Sequence, residues 1–154
     1  MLAWIEGSWL GVTLRDFAWA FPAAEILHFT GLCIMLGALI VMDLRLLGFA
    51  RGLPGRAAGD LMPLVWIGFG INAFTGFLFF VAAPFFYYPN GPLRIKLVLI
   101  LLAGANALWF QRTLRDEVDH LEAKTEASTP VKVSAGASLI LWASVVFFGR
   151  MIMF

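Results

Sequence analysis

Cysteine is almost absent from this chain. Cys33 stands alone, which excludes an intrachain disulfide framework and any CxxC metal or redox motif. Charge is nearly as scarce: Asp, Glu, Lys and Arg make up 14% of the 154 residues, against about a quarter in an ordinary globular chain. A net charge of +1 gives no reason to expect nucleic acid or an acidic macromolecule as partner. No Walker loop, nucleophile elbow or H-E-x-x-H sequence occurs, so the motifs support no hydrolytic activity. Repeats and low-complexity tracts are missing as well. What fills the sequence is apolar, with 61% hydrophobic residues and a mean hydropathy of +0.87. Four apolar stretches, each long enough or nearly long enough to cross a bilayer, account for the excess. They predict an all-α integral membrane protein, a single domain built as a four-transmembrane-helix bundle.

The stretches fall at residues 22–47, 61–83, 93–111 and 133–153. Pro22 suits the first turn of a helix, and residues 61–83 carry only uncharged side chains after Asp60. Residues 1–21 lack the basic n-region of a cleavable signal and place Glu6 where positive charge belongs. Leu2, Ile5, Trp9 and Val12 fall on one helical stripe, which predicts a short amphipathic helix lying in the interface. The first connector, 43–60, contains Gly52, Pro54, Gly55 and Gly59, and the second ends in Pro89-Asn90-Gly91-Pro92, a strong turn signal. The third, 112–132, begins as a charged helical extension of its span and ends in Ser128-Thr129-Pro130.

Loop charge sets an orientation. The first and third connectors must share a side and hold Arg45, Arg51, Arg56, Arg112, Arg115, Lys124 and Lys132, against Arg15, Arg94, Lys96 and Arg150 opposite. This bias predicts a multi-pass protein of the bacterial cytoplasmic membrane with both connectors inside and both termini periplasmic.

Several motifs punctuate the spans: Glu25-x-x-His28-x-x-Gly31, Asp43-Leu-Arg-Leu-Leu-Gly48, Thr75-Gly76, Pro92-Leu-Arg94-Ile-Lys96, Ala103-Gly-Ala-Asn106-Ala, and Ser138-Leu-Ile-Leu-Trp142 with Gly149-Arg150. Taken together, the chain resembles an uncharacterised family of small bacterial four-helix inner-membrane proteins carrying E-x-x-H-x-x-G and D-L-R-L-L-G motifs. More distantly, the Thr-Gly span followed by a Lys-led span is similar to part of the copper resistance protein D family and to four-helix b-type cytochromes. The first resemblance implies the fold and no activity. It also implies a frequent His at the position held here by Gln111, where this chain departs from the pattern.

Glu25 and His28 are the sharpest chemical signal. Three residues apart, they share a helical face within an apolar span, where an ionisable side chain costs from ~2.5 kcal/mol upward and needs a partner. Two readings stand side by side. In the first, Glu25 pairs with Lys96 or Arg150, His28 hydrogen-bonds between helices, and the protein is a non-catalytic subunit or assembly factor of a larger membrane complex. In the second, His28 is the metal ligand of a b-type haem, Glu25 supports it, and Arg94, Lys96 and Arg150, with Arg15, receive the anionic propionates beside Tyr87 and Tyr88. That reading implies electron transport or sensing by an oligomer, in which His28 residues of two protomers can share one haem.

A second E-x-x-H pair, Glu117 and His120, gives the chain two copies of the spacing that paired ligands have in di-iron bundles. His120 lies beyond the third span on the other side, about 25 Å or more from His28 at ~1.5 Å per residue, so the pairs cannot meet. A third reading is copper binding or transport, with Cys33, Met35, Met42 and Met62 as soft donors beside His28. Finally, Asn72, Thr75, Asn106 and Ser144 are expected to form one polar level within the bundle, with Gly68, Gly70, Gly76, Gly104 and Gly136 allowing close backbone approach.

Overall fold

The computed structural model describes residues 2–153. Nine helices occur among them and no strand: α1 (Leu2–Glu6), α2 (Trp9–Asp16), α3 (Ala20–Leu47), α4 (Gly55–Gly59), α5 (Met62–Ala82), α6 (Pro84–Tyr87), α7 (Gly91–Thr113), α8 (Arg115–Asp119) and α9 (Thr129–Met151). Four are long and apolar enough to cross a membrane, namely α3, α5 with the short α4 before it, α7 and α9. The protein is thus an all-α, four-helix membrane bundle.

Local chemistry explains most helix ends. Asn90 caps α7 by accepting from the Leu93 N–H at 3.0 Å, with Pro92 in the first turn. Ser128 precedes α9, and Glu117 holds it by accepting from its N–H at 2.9 Å and its hydroxyl at 2.8 Å. α3 stops at Gly48, whose φ of +95° is a left-handed cap natural only to glycine.

The spans pack in the order α5, α3, α9, α7. α3 is central, with α5 on one flank and α9 on the other, while α7 rests on α9. Sequence neighbours α5 and α7 share no extensive interface, so the bundle is an open arc with a seam between its end helices. The α3–α5 contact is the closest. A Cβ on Gly68 would lie 2.6 Å from the Gly31 carbonyl oxygen, and one on Gly31 would lie 2.7 Å from Ile71. Gly70, Gly76, Gly104 and Gly136 face open space instead, so among the five glycines expected at close approaches only Gly68 makes one.

At the end bearing the first and third connectors, Arg45 organises the structure. It is 0% exposed, and its guanidinium donates to the carbonyls of Leu53, Glu122 (2.9 Å) and Thr125 (3.3 Å). The connectors also pair directly, through Gly55 N–H to the Leu121 carbonyl at 2.8 Å and Lys124 N–H to the Arg51 carbonyl at 2.7 Å. Exposed Glu126 links Arg51 at 2.9 Å to Lys132 at 2.7 Å, and a hydrogen bond from Lys132, with the charge of both cations, holds its carboxyl below the usual range.

Three expectations change. The N-terminal segment before α3 is two short helices where one was expected: the chain breaks at Gly7, Ser8 recaps α2, and Gly11 and Leu14 are buried. Trp4 and Trp9 are turned outward, at 79% and 81% exposure. The first connector starts only after Leu47, so Asp43 and Arg45 are buried helical residues rather than loop charges. The charged run after the third span leaves it at Leu114 and forms the separate α8.

Two stability experiments test this packing. Gly68→Ala overpacks the α3–α5 seam and is expected to cost about 1–3 kcal/mol, whereas Gly70→Ala, two residues along the same helix, leaves the melting temperature level or raises it slightly. Equal effects of the two would contradict the seam. Arg45→Leu strands three carbonyls at about 1–3 kcal/mol each if they stay dry, and is expected to open both connectors to limited proteolysis; a resistant variant with an unchanged melting temperature would refute the clamp.

Candidate functional site

His28 lies eight residues into α3, about 12 Å from its start at ~1.5 Å per residue. Half-buried, it packs against the Phe79 ring with centroids 5.3 Å apart, and its Nδ1 is 2.7 Å from the Thr75 hydroxyl oxygen on α5. Thr75 is 0% exposed. Its hydroxyl also lies 2.7 Å from the Ile71 carbonyl, one turn earlier in its own helix.

That geometry assigns the proton. A hydroxyl has one hydrogen to give, and the Ile71 carbonyl can only accept. With its hydrogen committed there, Thr75 Oγ1 accepts from Nδ1–H of His28. Nε2 of the neutral ring then keeps its lone pair and is the nitrogen able to ligate or accept. A hydrogen bond made by one ring nitrogen selects the role of the other in this way at metal-binding histidines.

The surrounding cations are less concentrated than the sequence predicts. Lys96, half-buried on α7, runs beside Gly149 of α9 and is close enough to act electrostatically on His28. Arg150 is exposed at the end of α9. Arg94 is exposed and turned to Tyr88, donating to its carbonyl at 3.2 Å and lying 5.9 Å from its ring centroid. Arg15 is engaged elsewhere, donating to the Ala82 carbonyl at 3.0 Å, where it completes the C-terminus of α5, and to the Glu6 carbonyl at 2.6 Å.

Glu25 is exposed and forms no ion pair with Lys96. Its influence falls on Tyr87, whose phenol is pushed up by burial and, secondarily, by the Glu25 carboxylate. The bridge expected from Glu25 to Lys96 or Arg150 is not among the ion pairs of the described residues: Glu25 is exposed, while Lys96 is half-buried beside Gly149. His120 is exposed at the far end, with Nδ1 2.7 Å from the Asp116 carbonyl oxygen.

Nor do the soft donors gather around His28. Met35 and Met42 are buried in the core with Met62 against them, while Cys33 is exposed. Among the described residues no group of three or more His, Cys, Asp or Glu side chains is placed to hold a metal ion. The expected polar level also divides. Thr75 bonds His28 across α3–α5, Asn106 and Ser134 exchange bonds of 3.0 and 3.1 Å across α7–α9, and Asn72 and Ser144 bond carbonyls of their own helices.

A cleft of about 100 Å³ lies lower in the arc, walled by all four spans. Its apolar lining includes Leu39, Met42, Trp66, Phe69, Phe110 and Trp142, and Asp43, Asn106, Ser134 and Ser138 bring polar groups. Asp43 is the residue that reading the sequence as span and loop missed. Its adjacency to Met42, on the His28–Met35–Met42 stripe, was the available signal.

Compared with protein-family models, curated proteins and solved structures, the chain matches none of them. The site is accordingly interpreted from its own residues.

The tautomer is directly measurable. Histidine-selective ¹⁵N NMR is expected to show Nδ1 of His28 protonated and Nε2 unprotonated, with Thr75→Val removing that preference and costing about 1–3 kcal/mol for the unpaired N–H. A proton on Nε2 in the wild-type protein would overturn the assignment.

Proposed function

We propose that this small multi-pass membrane protein is a b-type haem protein, serving redox transfer or sensing in the bacterial cytoplasmic membrane, with His28 as axial ligand. The observation that carries the reading is the Nε2 lone pair left by the Thr75 hydrogen bond. Two placements support it. His28 continues the stripe of Met35 and Met42 on α3, and Met42 lines the interior of the arc; Lys96 stands on α7, in the opposite half, within electrostatic reach of the imidazole. An imidazole with an available Nε2 and an ammonium within electrostatic reach of it are the group types that would take an iron and an anionic propionate.

The donor set fits one axial position and no more, because His120 is remote and Met35, seven residues along, is about 10 Å away. Each protomer would thus hold a haem through His28 alone, with any second ligand coming from a non-His group or from His28 of another protomer in a homo-oligomer. Such a group supplies one-electron chemistry or gas binding. The chain's own residues orient the ring through Thr75, shield it with Phe79, and offer Lys96, with Arg150 and Arg94 at the same end, to the carboxylates. Glu25, three residues before His28 on the same helical face, supports the ligand in this reading. The first and third connectors face the cytoplasm in this reading, as their Arg and Lys excess favours.

A second reading is favoured by one specific observation: His28 already joins α3 to α5 through a fully buried hydroxyl. On that view the imidazole is structural and the protein is a non-catalytic subunit of a larger membrane complex.

An absorption spectrum separates them. Protein purified in mild detergent from haem-replete cells is expected to show a Soret band that His28→Ala abolishes and Lys96→Gln weakens, with helicity retained. A colourless wild-type preparation, or a band indifferent to His28→Ala, would defeat the haem reading; co-purification of a stoichiometric membrane partner would then favour the second.

A further inference from the structure

The cleft at the inner half of the arc carries its own chemistry, independent of the His28 reading. Asp43 projects from α3 into it, 5% exposed, and its Oδ2 has no hydrogen-bond partner among the described residues. The Ser138 hydroxyl on α9 stands beside the carboxyl group. No described Lys or Arg lines the cleft. Two cations at this end of the bundle are engaged elsewhere: Arg45, two residues on, is turned to the connector carbonyls, and Arg115, at a neighbouring pocket, pairs with Asp119 at 3.5 Å. A buried carboxyl group served by one hydroxyl and bare at Oδ2 is costly to ionise, and no described side chain in the cleft supplies the opposite charge.

The walls indicate what does. Trp66, Phe69 and Trp142 line the same cleft as the acid, and aromatic rings attract cations, alkylammonium groups included. Residues of both α5 (Met62, Val65, Trp66, Phe69) and α7 (Ile100, Ala103, Gly104) line the cleft, and these end helices share no extensive interface, which gives an apolar tail a route between them. Asn106 and Ser134 are already bonded to each other, which leaves Asp43 as the group seeking a donor.

The geometry points to a binding site for a lipophilic primary ammonium, its head group bonded to Asp43 and Ser138 and its alkyl chain leaving through the α5–α7 seam. The ammonium neutralises the carboxylate and donates to Oδ2, and the tail stays in lipid. An anion of the same length meets a repelling carboxylate, and a neutral alcohol leaves the charge uncompensated.

Calorimetric titration tests this with the full-length protein in phosphatidylcholine nanodiscs, using octylammonium, octanol and octanoate and subtracting empty nanodiscs. Octylammonium is expected to bind saturably, with octanol and octanoate at least tenfold weaker. Asp43→Asn is expected to weaken octylammonium at least tenfold. Gly104 lines the same cleft, and a Cβ there meets nothing within 4 Å; Gly104→Leu should therefore block the site while leaving Asp43 intact, which keeps the test decisive if Asp43→Asn fails to fold. Competition by phosphatidylethanolamine in the nanodisc would place the ammonium on a lipid head group, and its absence on a free alkylamine. Equal binding of octanoate, binding untouched by Gly104→Leu, or no saturable binding at all would overturn the proposal, the last leaving a cleft that holds only water.

Discussion

A polar group without a partner is expensive where water is scarce, and that cost governs every informative position in this protein. Arg45 is tolerated in the interior because three connector carbonyls surround its guanidinium. Thr75 gives its hydrogen to its own helix and its lone pair to His28. Asn106 and Ser134 satisfy each other between α7 and α9. Against that background the bare Oδ2 of Asp43 and the bare Oδ1 of Asn72 stand out, and of the two only Asp43 is acidic and lines the cleft.

Helix order is the second determinant. Had α5 and α7 packed together, the four spans would have closed around a dry core. Instead α3 takes the centre, and glycines at 31 and 68 draw α5 against it. The end helices are left apart, and the space between them becomes the cleft. Polar chemistry consequently divides by depth. His28, Thr75 and Lys96 occupy the half nearer the termini, while Asp43 and Ser138 occupy the half nearer the paired connectors.

The connectors do more than join spans. Gly55 and Leu121, Arg51 and Lys124, and the Arg45 clamp make one cap from two loops far apart in sequence. Such a cap holds the connector-side ends of α3 and α9 in fixed relation, and Asp43 lies two residues before Arg45 on α3. The D-L-R-L-L-G motif thereby combines three tasks within six residues: a carboxylate for the cleft, a guanidinium for the cap and a glycine to end the helix.

Span number, class and approximate limits were legible in the sequence, because hydropathy over some twenty residues reflects the thickness of a bilayer and needs no knowledge of neighbours. The shared helical face of Glu25 and His28 was legible for the same reason, being set by helical period alone. Partners were not. Whether Glu25 meets Lys96, whether Gly104 touches another helix, and whether Asp43 is loop or core depend on which spans become neighbours and how each is rotated. Those choices arise from steric fit at glycine contacts and from hydrogen bonds between residues dozens of positions apart. Hydropathy averages over such contacts, so only the assembled arc could decide them.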